Sequence, residues 1–401
     1  MKNGDHAATV FGRHDIPMTC GVATLAGRSI AADRTHRVTS STDLPEPPRP
    51  PGPTAPPELP ELLELQTLVR LAGPWMAERR LCEVEAGGRR FPVNAYLLGS
   101  DRPDVPAVGF FGGVHGLERI GAEVTIAYLR SLVMRLPWDQ TLHRQLESIR
   151  LLFVPLINPG GAWLGTRANP RSVDLMRNAP VDAVDRVPYL IGGQRISANL
   201  PWYRGVEGAP MEAESAALCA IVEEQLLGRR FSIAVDCHSG FGLTDRIWFP
   251  YAHTARPIEH LPEIHALCEI HDQTLLHHRY VLEPQSRQYL THGDLWDHLY
   301  LSARSRRDNG VFLPLTLEMG SWLWIKKNPR QLFSRHGIFN PMITHRHQRV
   351  LRTHLGWLDF IMRATGSHAR WVPTGAERER HRVQAMARWY EGPNSREGRA
   401  R

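Results

Sequence analysis

The sequence predicts an α/β protein whose sheet is covered by helices on both faces. Two observations carry this expectation. From about residue 80 to 365, short apolar runs alternate with longer segments of helical periodicity, the pattern of successive strand–helix units. Runs such as SIRLLFVPLIN (148–158) are almost continuously apolar, as strands buried on both sides are.

Taken in order, ELPELLELQTLVRLAG (58–73) reads as the helix that opens the folded part. RRFPVNAYLL (89–98) and VPAVGFFGGV (105–114) read as strands. ERIGAEVTIAYLRSLVMRL (118–136) places Ile120, Val124, Leu129, Leu132 and Val133 near helical spacing. SIRLLFVPLIN is the next strand, MEAESAALCAIVEEQLL (211–227) a helix, FSIAVDCHS (231–239) a strand and IEHLPEIHALCEIHDQTLL (258–276) a helix. GVFLPLTLEMGS (310–321) is the last strand and HQRVLRTHLGWLDFIMRA (347–364) the closing helix.

The flanks differ in composition. Residues 44–60 hold nine prolines in seventeen positions, which favours extended polyproline II over a packed core, so residues 1–57 read as a disordered arm. Residues 58–366 form the expected folded domain, and 367–401 a basic tail. From Arg370 onward, eight arginines against four acids supply +4 of the formal net charge of +7, leaving +3 for the rest of the chain. That charge reads as a solvated tail without a specific nucleic-acid partner. No stretch reaches the roughly 18 uninterrupted apolar residues of a membrane span, and the N-terminus lacks the layout of a secretory signal. The five cysteines are widely spaced, odd in number and free of CxxC, the usage of reduced thiols in a cytoplasmic protein.

The chemistry centres on FFGGVHGLERIG (110–121), where His115 and Glu118 stand three residues apart. With 20 histidines and Glu at roughly one residue in twenty, about one His-x-x-Glu arises by chance, and the chain holds a second at His260 and Glu263. Position separates the two. In α/β sheets ligands sit outside the carboxyl ends of strands. His115 and Glu118 follow one strand, Asp236 and His238 end another, Glu318 ends a third, and Arg167, Asp174 and Arg177 lie in the loop after a fourth. His260 and Glu263 fall inside an amphipathic helix, where such a pair is ordinarily solvated.

A catalytic zinc takes three protein ligands and leaves a position open; His115, Glu118 and His238 make a two-histidine, one-carboxylate set. Gly112 and Gly113 allow the chain to turn off the strand. Asp174 and Asp236 are candidates to orient the ligand histidines. Glu318, a carboxylate ending an apolar strand, is costly to bury unless it is used, and is the candidate general base.

Together, HGLE, PLINPGG, RANPRSVDLMRN, DCHSG and TLEMG resemble, in order and spacing, the carboxypeptidase A-like zinc peptidases over about residues 105–325. The resemblance implies a mixed, mostly parallel eight-stranded sheet with helices on both faces. It implies one zinc per chain on His115, Glu118 and His238, with Glu318 as base and proton shuttle and Arg167 polarising the scissile carbonyl. Arg177 would clamp the substrate's terminal carboxylate with a bidentate fork, Tyr289 would close over the substrate, and Trp296 and Asp297 would lie near its side-chain pocket, although a core role for Trp296 is the more ordinary one. Met176 departs from the family's Asn before the clamp arginine, and a thioether donates no hydrogen bond. The segment RNAPVDAVDRVPYLIGGQRISANLPWYRG is a long insert that would reshape the cleft. The reading is a zinc-dependent hydrolase removing a C-terminal amino acid from a peptide or small amide. The alternatives are a deacylase of N-acyl amino acids and a non-enzymatic binding protein.

Overall fold

The computed structural model describes residues 58–306, 310–334 and 336–391. Eight strands make one sheet: β1 Met76–Ala86, β2 Arg89–Gly99, β3 Ala107–Gly112, β4 Arg150–Val154, β5 Phe231–Ser239, β6 Arg246–Phe249, β7 Val281–Pro284 and β8 Val311–Met319, in spatial order β1-β2-β4-β3-β5-β8-β6-β7. The helices are α1 Pro60–Ala72, α2 Arg119–Arg135, α3 Gln140–Leu146, α4 Pro159–Leu164, α5 Ala213–Val222, α6 Leu261–Thr274, α7 Leu295–Ser305, α8 Trp322–Lys327, α9 Thr344–Gly366 and α10 Gly375–Met386.

The central strands β4, β3, β5 and β8 run parallel, and antiparallel pairs join β1 to β2, β2 to β4 and β6 to β8. Every residue of β3 and β5 is buried. Helices α2 and α9 pack on these two strands, while α5 and α7 pack on β1 and β8. Strands buried along their whole length belong between two helical layers. Parallel direction then brings the carboxyl ends of β4, β3, β5 and β8 to one edge, as expected of the site residues.

The sequence-based reading finds the long central elements and misses the margins. The strand β1 (MAERRLCEVEA) buries little beyond Met76, Val84 and Ala86, and its register with β2 shifts between Arg80 and Cys82. No period-two signal survives in it. Strands β6 and β7 have four residues each, too short to show any period.

The basic tail needs correction. Residues 375–386 form α10, which packs on α6, and the chain continues folded to Glu391. Trp389 is buried, donates from its indole to the Leu282 carbonyl at 2.9 Å and meets the Phe249 ring edge-on at 5.0 Å. The aromatic–basic run Arg388–Tyr390 is therefore packed into the fold, with Arg388 3.6 Å from the Asp272 carboxylate. The expected N-terminal arm, 1–57, and residues 392–401 lie outside the described residues. Among those described, no helix is long and apolar enough to cross a membrane.

Removing a fully buried tryptophan costs about 3–5 kcal/mol through lost burial and the cavity left behind. Trp389→Ala is expected to destabilise the protein by about that amount in urea unfolding; a loss within the few tenths typical of a surface substitution would show that the C-terminal helix merely rests on the surface.

Candidate active site

The turn after β3 is built by close approaches. Gly113 sits at φ 63, and a Cβ on Gly121 would come within 2.1 Å of the Cys237 carbonyl. Only glycine lets the first turn of α2 lie this close to β5. Asn340 fixes the same turn from outside, accepting from Ile120 N at 2.9 Å and donating to the Leu117 carbonyl at 2.8 Å. Glu118 is thereby set beside the end of β5. Its Oε2 accepts from Ser239 N at 3.0 Å and lies 3.2 Å from His238 Nδ1.

His238 and Glu318 are register partners on the parallel strands β5 and β8, so their side chains leave the sheet on the same side. His238 Nε2 lies 2.7 Å from Asp236 Oδ2, an oxygen that also accepts from the Trp296 indole at 2.9 Å. His115, Glu118 and His238, all buried, each bring one ligand atom within 4.8 Å of the others.

The donor set fits a metal ion. With Nε2 of His238 bonded to Asp236, Nδ1 faces Glu118 Oε2: the charged ring donates to the carboxylate there, and the neutral ring would offer both atoms to a cation. His115 Nδ1 is buried without a partner. Burial and the neighbouring Arg167 lower His115 to about 3, which keeps it in the neutral form that binds metals. Burial alone would also discharge His238, but Asp236 and Glu118 outweigh it and raise it well above its ordinary value. Burial pushes Glu118 upward, yet His115, His238 and Arg167 hold it near 2, as an anion. The local field thus favours positive charge at the centre of the triad.

Arg167 spans the site. Its guanidinium donates to Glu118 at 2.9 Å, to His115 Nε2 at 2.7 Å and to Asp174 at 3.0 Å. Against burial, Arg167, His115 and Arg177 keep Asp174 well below the usual carboxylate range. Glu318 is the exception among the acids. Burial, with Glu118 and Asp236 adding to it against His238 and Arg167, raises it to about 8, and its Oε2 has no partner.

These groups line a narrow cleft of about 30 Å³, with Met176, Arg177, Trp248, Tyr289, Thr291 and Asp294 on its other walls. That is room for a water or two. Arg177 donates from Nε to the Ile191 carbonyl at 2.9 Å and from Nη1 to Asp174 at 3.4 Å. The long insert therefore holds this guanidinium in place. Tyr289 faces Arg177, Glu318 and Arg167. Met176 is on the wall where an amide was expected.

All nine candidate site residues gather at this edge, but Asp297 and the pair His260 and Glu263 do not behave as expected. Trp296 takes the more ordinary core role: it is buried against Phe111 and holds Asp236. Asp297 instead accepts from the Ala252 and His253 amides. The carboxylate that does reach the cleft is Asp294, the N-cap of α7. His260 and Glu263 are not a solvated pair inside a helix: His260 precedes α6, both are buried, and each has its own partner, Tyr300 and Arg378 respectively. The roles of Trp296 and Asn340 carry no sequence signal, because each acts through a contact far away in the chain; Asp294 has a local one, an Asp at the N-cap of a helix, which marks the cap and not the cleft.

Burial and the neighbouring Asp297 raise Asp294 to about 7, against about 3.9 in an unfolded chain. Between those values the folded state keeps a proton that the unfolded state has lost, so stability falls as pH rises through about 4 to 7. Asp294→Asn keeps a capping side chain and is expected to remove this fall. Urea unfolding of both proteins from pH 4 to 8 should show the variant gaining on the parent with rising pH; parallel curves would contradict the assignment.

The sequence profile of the zinc carboxypeptidase family matches residues 80–316, a stretch holding every site residue named above except Glu318. Carboxypeptidase D of Anas platyrhynchos is 24% identical over 169 residues, 42% of this chain and 11% of that protein. Carboxypeptidase SOL1 of Arabidopsis thaliana is 30% identical over 105 residues, 25% of this chain and 21% of that one. The matched stretch is thus a small part of either relative's length. In fold, thrombin activatable fibrinolysis inhibitor superimposes with a TM-score of 0.55 at 16% identity, over 76% of this chain and 72% of its own. Carboxypeptidase A of Helicoverpa armigera gives 0.55 at 15% identity over the same shares. With a profile match over more than half of its length, this chain belongs to the zinc carboxypeptidase family.

Proposed function

We propose that this chain is a zinc-dependent hydrolase that removes a C-terminal amino acid from a peptide or small amide. One observation carries the reading: the buried His115–Glu118–His238 triad adjoins a cleft that holds Glu318, raised toward holding a proton and packed beside His238, and Arg177. A site for binding alone has no use for such a base.

One zinc per chain would be held by His115, Glu118 and His238, and when bound it supplies Lewis acidity to the carbonyl and to water. Asp236 keeps the His238 ring turned so that Nδ1 faces the ion, with the Trp296 indole holding Asp236 in turn. Arg177, fixed by Asp174 and Ile191, binds the terminal carboxylate. Tyr289 closes over the substrate and excludes water. Arg167 faces the oxygen on which negative charge develops. Glu318 takes a proton from the attacking water at its carboxylate and passes it to the leaving amine; a pKa near neutrality suits both halves of that transfer.

Met176 and the small cleft favour a second reading within the same chemistry, hydrolysis of an N-acyl amino acid. The Arg177 wall there offers no amide donor, and the free volume suits a short acyl amide better than a long chain. The described cysteines are free thiols, which supports a reducing, cytoplasmic setting.

The purified protein is expected to hold one zinc per chain by elemental analysis, and His238→Ala to lose it. Retention by His238→Ala would place the metal elsewhere. Glu318→Gln should keep the zinc and lose at least about a hundredfold in turnover; an active Gln variant would remove Glu318 from the reaction. A hydrolysis screen of peptides with free C-termini against N-acyl amino acids, with products identified, separates the two substrates.

A further inference from the structure

On the other side of the β8 end, a cavity of about 860 Å³ lies between α8, α9 and the connection from α6 to β7. It shares no residue with the catalytic cleft. Its volume falls in the range of small-molecule sites, roughly 300–1,000 Å³.

The lining is one-sided in charge. Arg279, Lys327, Arg346 and Arg349 face the cavity against one carboxylate, Asp245. That carboxylate is already engaged, accepting from Gly320 N at 2.8 Å. Arg346 reaches only the carbonyls at the end of α8. Arg279, Lys327 and Arg349 make no side-chain hydrogen bond or ion pair with any described residue. Like charges gathered on one concave surface repel, and the repulsion grows as water is displaced. A bound anion relieves it, and guanidinium forks match phosphate or carboxylate oxygens in pairs.

The inner wall has a different character. Half-buried Tyr280, Leu275 and Leu323 line it, while Trp324 and Trp357 are buried and add little surface; this wall suits a flat apolar group. Gly356 of α9 also faces the cavity, and a Cβ placed there would meet nothing within 4 Å. The helix leaves that wall open. Opposite it, His277 holds φ 67 in the α6–β7 connection, a conformation that non-glycine residues adopt uncommonly.

We infer that this cavity binds a small organic anion carrying a planar apolar group. The phosphate or carboxylate lies against Arg279, Lys327 and Arg349, and the ring lies on the apolar wall of Tyr280, Leu275 and Leu323. A nucleotide and an aromatic carboxylate share this chemistry, and the two are told apart by titration.

The test is calorimetric titration of the full chain with adenosine diphosphate, 2-naphthoate, adenosine and inorganic pyrophosphate. Adenosine diphosphate or naphthoate is expected to bind with a Kd below about 0.1 mM, and to bind at least about tenfold tighter than adenosine or pyrophosphate. Binding should weaken as salt is raised. The double variant Lys327→Glu/Arg349→Glu should weaken it by at least about tenfold, one power of ten in Kd. Gly356→Leu should block it while circular dichroism and the Tm stay those of a folded protein. Glu318→Gln should bind as the parent does, because the catalytic cleft is separate. The inference is overturned if pyrophosphate or adenosine alone binds as tightly as the larger anions. It also fails if neither larger anion binds, or if binding survives charge reversal.

Discussion

One imidazole held between two buried carboxylates, His238 with Nδ1 3.2 Å from Glu118 Oε2 and Nε2 2.7 Å from Asp236 Oδ2, is the constraint on which the rest of this site depends. The two carboxylates raise His238 well above its ordinary value and so hold positive charge at a place where burial would remove it. The surrounding structure is committed to keeping this arrangement: Gly121 lets α2 approach β5, Asn340 brackets the turn, and Trp296 holds Asp236. A site whose buried carboxylates favour positive charge between them suits a cation.

The same electrostatics sorts the acids. Glu118 and Asp174 are buried yet kept ionised: His115, His238 and Arg167 hold the first, and Arg167, His115 and Arg177 hold the second. Glu318 lies in the same pocket with one oxygen unpartnered and is driven the opposite way. Environments that push neighbouring carboxylates apart in proton affinity are how one pocket holds both a fixed anion and a proton carrier. Sequence type does not make this distinction; the partners each carboxylate meets do, since Glu318 lacks the hydrogen-bonded cations that Glu118 and Asp174 have.

Legibility from sequence followed burial and range. Strands β3, β4, β5 and β8 were readable because burial on both faces leaves an unbroken apolar run, and their parallel order places the polar residues that follow them at one edge. Strand β1 was not readable, because an edge position frees its side chains from any pattern. The metal-ligand set was readable because each ligand directly ends or follows a legible strand. The roles of Trp296 and Asn340 were not, since they come from contacts across 60 and 220 residues of chain. Residues 375–391 looked like a solvated tail because arginine dominates them, but one buried Trp389 and the α6 face decide their fate, and composition averages that signal away.

The substrate end of the cleft can be argued from charge. Asp174 Oδ2 accepts from both Arg167 and Arg177, so two guanidiniums share one carboxylate there, while Glu118 is committed to the triad. Asp294, the other acid on that wall, is raised to about 7 and cancels only part of the excess. The wall beside Arg177 is left positive, and Met176 adds no polar partner that competes for it. A carboxylate entering the cleft therefore meets a guanidinium whose direction is already set by Asp174 and by the Ile191 carbonyl of the insert. Preorganisation of that kind lowers the ordering cost of binding. On the proposed reading, it would let Arg177 hold a terminal carboxylate without an amide donor beside it.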